Sequence, residues 1–356
     1  MKEKEFVIQQ MPAPTFRWLK MNESKAEIPE EVFPYSLSIG GMEKEKGIKK
    51  ESVSSPFSGS MSTEMDDYFR EEHLPFDRYV VEKNTVHPDF LRISLENGKH
   101  PAEHSAQEFT LEEGAKLKLF FHLASVEEKG ISILQEKFHL QKDAELELVI
   151  AAKEEKDFKS LQDFSFVLED KARLKLTSLL FSGQSHSLSY HIDLKGKKAE
   201  TELNLAYMLS EKEKADFNLV VNHFGEKTVS NIVSDGVLRK DAMKIFRGTI
   251  DLKHGAKGAS GTEQENVLLM DDNVVNQTIP VILCDEDDVE GNHGATIGRL
   301  DEESLFYMGS RGISLETAYE LIAEARMESA IHGIKDSEIE AFIESEIRGK
   351  SSEGEE

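Results

Sequence analysis

A small residue beside charged ones, followed by strict alternation of apolar and polar side chains, recurs through the middle of this chain at nearly constant intervals. It stands at Ala115-Lys116-Leu117-Lys118-Leu119, at Ala144-Glu145-Leu146-Glu147-Leu148 and at Ala172-Arg173-Leu174-Lys175-Leu176, with weaker copies at Ala199 and Thr228. The steps between the small residues are 29, 28, 27 and 29, and further copies begin at Ala242 and Ala256, each a half-step of 14 beyond the last. Alternation with period two puts Leu117 and Leu119 on one face of a strand and Lys116 and Lys118 on the other. Strand-like runs at 164–168, 203–209 and 217–221 give each period two strands joined by turns. One period cannot bury its own apolar face, but stacked periods share a core, so the recurrence predicts a mainly β chain coiled as a solenoid. An antiparallel sandwich would also give short strands with turn signals, yet it has no reason to keep a fixed period.

The flanks read differently. Residues 1–85 lack the repeat, hold most of the prolines and include a Ser-rich run at 51–62 and an acidic one at 64–72, which predicts an irregular or helical N-terminal region with a flexible stretch. The coil is expected over 86–305. After Gly312 the period becomes helical: Ser314 can cap a helix with Glu316 in its first turn, Ala318, Leu321, Ile322 and Ala325 share a face, and Gly333 stops it. Asp336 can cap a second helix whose apolar stripe is Ile339, Phe342, Ile343 and Ile347. Residues 306–349 therefore read as a helical region and 350–356 as a disordered tail.

Charge and missing motifs narrow the function. Lys plus Arg number 43 against 68 Asp plus Glu, a net charge of -25 that repels phosphate backbones and anionic lipid, so neither nucleic acid nor membrane is expected as a partner. The start, MKEKEFVIQQ, carries acids and no apolar run of signal-peptide length, which predicts a cytoplasmic protein. Gly255, Gly258 and Gly261 belong to neither a P-loop nor a dinucleotide fingerprint and read as corners of the coil. The acidic run 285–288 with Glu290 could bind calcium or serve sugar chemistry, and reads more simply as a solvated turn. Cys284 is the only cysteine, so any cluster of thiolates must come from elsewhere; at the end of an apolar strand it reads as a small buried hydrophobe. His293, between Asn292 and Gly294, is a candidate ligand for iron or zinc, with a structural histidine as the alternative.

Residues 291–312 carry a more specific signal: His293-Gly294-Ala295-Thr296-Ile297-Gly298, Leu300-Asp301-Glu302, Leu305-Phe306-Tyr307 and Ser310-Arg311-Gly312-Ile313. In order and spacing they resemble the SufB/SufD family of iron-sulfur cluster assembly proteins, over roughly 225–335. Pro12-Ala13-Pro14-Thr15 and Trp18-Leu19-Lys20-Met21-Asn22 resemble the start of D-type members. B-type members carry a cysteine where this chain has Glu265, and Glu where it has Gly294, so the resemblance is to the D type. Some D-type members carry a cysteine where Gly291 stands here.

The resemblance implies a right-handed parallel β-helix flanked by helical regions. It also implies a non-catalytic scaffold that pairs with a SufB-like subunit and docks a SufC-like ABC ATPase. His293 would contribute to a transient iron-sulfur cluster shared with SufB; the isolated chain would hold no cofactor tightly, and ATP would act only through SufC. Tyr307, Arg311, Gly312, Leu321, Ile322, Ile339, Phe342, Ile343 and Ile347 would bind partners. A SufB-like scaffold pairing with itself through an open sheet edge is an alternative, and a carbohydrate-binding or carbohydrate-active β-helix is a remote one.

Overall fold

The repeat is built at one corner of each turn. The computed structural model describes residues 2–352 apart from 16, 36–41, 52–58, 75, 128, 301 and 332, so most of the Ser-rich run lies outside the described residues. The small residues Ala115, Ala144, Ala172, Ala199 and Thr228 are completely buried. Each follows a residue with left-handed backbone: Gly114 at φ +71°, Asp143 at +59°, Lys171 at +57°, Lys198 at +60° and Lys227 at +57°. The backbone N–H of each left-handed residue donates to a carbonyl of the next coil, as from Asp143 to Asp170 at 2.9 Å and from Lys171 to Lys197 at 2.9 Å. Four of these five corners carry a side chain in a region that costs an L-residue about 1–2 kcal/mol, and the coil-to-coil hydrogen bond offsets that cost.

The N-terminal region contributes β1 (Glu3–Ile8), β2 (Ser24–Pro29), β3 (Phe33–Pro34), β4 (Ile48–Glu51) and α1 (Thr63–Glu71). The coil then runs through β5 (Asp77–Val81), β6 (Leu91–Asn97), β7 (Ala102–Leu111), β8 (Lys116–Ser125), β9 (Lys129–Leu140), β10 (Glu145–Lys153), β11 (Asp157–Leu168) and β12 (Arg173–Ser182). It continues with β13 (Ser185–Leu194), β14 (Glu200–Leu209), β15 (Lys214–His223), β16 (Val229–Leu238), β17 (Met243–Leu252), β18 (Ala259–Leu269), β19 (Val275–Cys284) and β20 (Val289–Gly298). Even strands from β6 to β20 form one sheet and odd strands from β5 to β19 the other, all parallel to their neighbours. Consecutive strands never share a sheet within the coil, which defines a parallel β-solenoid and bears out the periodicity.

Stacking fills the space between the sheets. Leu117, Leu146 and Leu174 are in register, as are Leu119, Leu148, Leu176, Leu203 and Ile232. Opposite them Tyr79, Phe109, Phe138 and Phe166 form a ladder with ring centroids 5.4, 4.8 and 5.1 Å apart, close to the spacing of the strands that carry them. The first coil is closed by β4, antiparallel to β5, with Met42 and Ile48 joining the same core.

Both outer faces are covered as well. The N-terminal region lies on the odd-strand sheet: Phe6, Ile8, Ala26, Ile28, Met65 and Phe69 pack with Ile131, Ile133 and Leu161. The even-strand sheet is covered by α3 (Leu315–Ile331) and α4 (Ser337–Ser352), which follow the short α2 (Glu302–Ser310). Ser314 caps α3, its Oγ accepting from Thr317 N at 3.1 Å, and Asp336 Oδ1 accepts from Ile339 N at 3.0 Å at the start of α4.

Three expectations change here. Helical structure begins at Glu302 rather than after Gly312. The buried face of α3 is Ala318, Ala323, Met327, Ala330 and Ile331, leaving Leu321 and Ala325 toward solvent, because the small side chains let the helix approach the sheet closely. α4 continues to Ser352, into the stretch read as a tail, and 353–356 lie outside the described residues.

If the stacked columns carry the stability, Leu176→Ala will cost about 2–5 kcal/mol, whereas Lys175→Ala on the opposite face will cost under about 1 kcal/mol. Urea unfolding of the two variants checks this; equal midpoints would contradict it.

Candidate functional site

The two ends of the coil are not alike. At the far end the inward-facing columns change from aliphatic to polar. The column Leu119, Leu148, Leu176, Leu203, Ile232 continues as Glu263 and then His293. Its neighbour continues from Ser234 to Glu265 and Ala295, and the one on the other side from Ser230 to Gly261 and Gly291. Among the described residues no further strand stacks on β19 or β20, and the β20 side chains from Glu290 to Ile297 are exposed, His293 among them.

One coil below this end lies a buried charged group. Lys244, completely buried on β17, forms an ion pair with the buried Glu265 on β18. Its Nζ also donates to Thr278 Oγ1 at 2.9 Å, and that hydroxyl donates to Glu265 Oε2 at 2.8 Å. Glu263, 2% exposed, faces the same space. Burial pushes its carboxyl up to about 7, the Glu265 charge adding to the effect, while burial pulls the Lys244 ammonium down to about 8 against the attraction of Glu265. Glycine at position 248 makes room: a Cβ there would lie 2.1 Å from Glu263 Oε2.

His223 shows what a structural histidine looks like in this coil. It is completely buried, with Nδ1 2.8 Å from Thr228 Oγ1 and Nε2 2.9 Å from Ser230 Oγ. The Thr228 hydroxyl donates to Gly225 O, so Nδ1 carries the proton, and burial pulls the imidazole down to about 4. His293, on the open edge, has neither that burial nor a hydrogen bond among the described residues.

The other residues singled out by sequence fall into three places. Cys284 is exposed rather than buried, because it ends β19, the terminal strand of its sheet, with nothing stacked above it among the described residues; its Sγ lies 3.2 Å from Glu286 O. Gly255 and Gly258 turn the corner at φ +95° and +72°, whereas Gly261 faces inward against Ile250. In the acidic run, Glu286 accepts from Gly255 N at 2.9 Å and so serves that corner, while Asp285, Asp287 and Asp288 are exposed. Among the described residues no three His, Cys, Asp or Glu side chains converge to hold a metal ion.

The C-terminal residues separate into covered and open sets. Ile339, Ile343 and Ile347 are buried against the even-strand sheet, and Phe342 packs edge-on to Phe120 and His122, so this stripe is an internal contact of the chain. Phe306 and Tyr307 on α2 are 78% and 57% exposed, and Leu315 and Leu321 on α3 are exposed too. The Arg311 guanidinium lies over the Tyr307 ring, 3.8 Å from its centroid, Gly312 is exposed at φ +84°, and Ile322 is half-buried.

Lys244 and Glu263 escaped sequence reasoning. The available signal was the break in alternation along β18, where Gly261, Glu263 and Glu265 occupy positions that hold leucine in earlier coils. Breaking the buried pair by Lys244→Met, which leaves two carboxylates without a cation, will destabilise the chain by about 3–5 kcal/mol. Adding Glu265→Gln will recover part of the loss in urea unfolding; a double variant as unstable as the sum of the singles would contradict the pairing.

The model of the SUF system FeS cluster assembly family, SufBD core domain, matches residues 95–326. The chain is 33% identical over 138 residues to the iron-sulfur cluster assembly protein SufD of Bacillus subtilis, a match covering 37% of this chain and 31% of that protein. It is 33% identical over 127 residues to an iron-sulfur cluster assembly SufBD family protein of Staphylococcus epidermidis, covering 36% and 27%. A SufBD family protein of Mycobacterium bovis matches at 30% over 133 residues, covering 37% and 16%. The matches thus span about a third or less of these relatives' lengths. With a parallel solenoid of this register and a family model spanning well over half of its residues, the chain belongs to the SufBD core family of iron-sulfur cluster assembly proteins.

Proposed function

We propose that this chain is a SufD-like, non-catalytic scaffold subunit that pairs with a SufB-type partner through the open end of its coil and docks a SufC-type ATPase. The observation that carries this reading is the uncovered last coil, whose inward-facing column ends in an exposed histidine. Unpaired strand edges beside half-exposed apolar positions such as Ile282 and Ile297 favour a second solenoid stacking on the first. His293 would then sit at the junction and lend its imidazole to a cluster under construction.

A cargo cluster must be held firmly enough to assemble and loosely enough to leave. A neutral imidazole shared across two chains meets that need better than a closed set of thiolates in one. The ATPase would bind through the exposed residues of α2 and the start of α3, including Tyr307, Arg311, Gly312 and Leu321, with Ile322 behind them. The α4 stripe would act indirectly by fixing these helices to the sheet, so that nucleotide-driven movement of the ATPase reaches the coil. ATP is used only in that partner, and the assembly works in the cytoplasm. Self-pairing through the same open end is the second reading, favoured by that edge alone.

Affinity capture of the tagged full-length chain from its own host tests the proposal. It predicts recovery of an ABC ATPase together with a cysteine-bearing solenoid subunit. Phe306→Asp with Leu321→Asp will release the ATPase only, and His293→Ala will keep both partners while lowering the iron and sulfide retained after anaerobic reconstitution. Recovery of the chain alone, or only paired with itself, would overturn the heteromeric reading.

A further inference from the structure

Glu263 is a buried carboxylate with no assigned partner. The buried cation across the lumen, Lys244, makes its ion pair with Glu265 and its hydrogen bond with Thr278, and reaches Glu263 only through its charge. Glu263 itself makes no hydrogen bond or ion pair among the described residues, although it is 2% exposed. Two carboxylates therefore share one ammonium beneath the open end. Buried charges of this kind are paired or held by a metal, and a group serving neither end would be replaced at no loss by a leucine, as in the same column of earlier coils.

Its surroundings are shaped for the carboxylate. Gly248 stands opposite and leaves a space that its own Cβ would fill, at 2.1 Å from Glu263 Oε2. Directly above it in register, on the last strand, is His293. In-register neighbours on parallel strands project from the same face, so the imidazole and the carboxylate both point into the end of the lumen, with no coil above them among the described residues.

We propose that Glu263 is a second donor of this chain to the metal that His293 meets, making the inner wall of the open coil a carboxylate–imidazole half-site for divalent iron. The inference rests on the reading of this end as the cluster-building face and adds to it a residue from the coil beneath. One nitrogen and one carboxylate oxygen suit a first-row divalent ion such as Fe(II), with Co(II) as a stable probe, better than the all-oxygen shells of calcium or magnesium. A partner's side chains would complete the shell, so the chain alone binds weakly.

Anaerobic calorimetric titration of the full-length chain with Co(II) tests the half-site. Glu263→Gln and His293→Ala are each expected to weaken binding about tenfold or more, and Glu263→Asp to give a smaller loss. Glu290→Gln, an exposed acid on the same strand as His293, will bind as the wild type does. The melting temperature of metal-free Glu263→Gln will be no lower than wild type, since a buried carboxyl that makes no hydrogen bond is replaced by a neutral side chain of the same shape; should that variant fail to fold, Glu263→Asp carries the test. Wild-type affinity in Glu263→Gln, or in Glu263→Asp in that case, would overturn the inference, as would no Co(II) uptake by the wild type at millimolar metal. Partner capture is read separately: loss of capture by the wild-type chain defeats the scaffold reading, whereas a Glu263-independent titration defeats the half-site alone.

Discussion

Every coil of this molecule is buried by the coil next to it, and by little else inside the lumen. A leucine such as Leu148 owes its burial to Leu119 on one side and Leu176 on the other. The backbone obeys the same rule, because each strand finds its hydrogen bonds above and below rather than across the lumen. The two terminal coils are therefore the places where the arrangement must stop or find something else to stack on. At the first coil the chain supplies its own stop in β4, Met42 and Ile48. At the last it supplies none among the described residues, and the lumen there turns polar.

The flanking regions clamp the outside of the coil and leave that end open. Gln9 reaches across two strands, its Nε2 donating to Leu188 O at 3.0 Å and Asp216 O at 2.8 Å. The completely buried Arg247 binds Asp216, Met21 O and Ser24 Oγ, fastening the N-terminal segment to β15 and β17. On the other face α4 is held by its isoleucines and by the Lys350–Glu213 pair at 2.7 Å. With both faces covered, the end of the coil is the main place where strand edges and inward-facing residues remain accessible together. Movement of the C-terminal helices has a direct path into the even-strand sheet, which carries both Glu263 and His293.

Much of this was legible because the coil is local in sequence. A corner recurs every period, so the small buried residue after a left-handed one marks each turn, and alternation between corners marks the inward face. Three things were hidden for a physical reason. The stripe Ile339, Phe342, Ile343 and Ile347 is plain in sequence, but what covers it depends on Phe120, Leu179 and Met208 far away in the chain. The residues of α2 include Leu305, Phe306 and Tyr307, whose aromatic and aliphatic run reads equally well as strand. The Lys244, Glu265 and Glu263 group depends on two strands facing each other across the lumen, and only the broken alternation along β18 hinted at it. His293 stood out by motif; its place at the top of a column came from register alone.

The central claim is that the end bearing β19 and β20 is the one a partner closes. Hydrogen–deuterium exchange of the full-length chain, alone and in the captured complex, tests it most directly. The account predicts that backbone amides of β19 and β20 exchange fastest within the coil when the chain is alone and become protected in the complex, while β4 and β5 at the other end do not change. Protection at β4 and β5, with β19 and β20 unaffected, would contradict it.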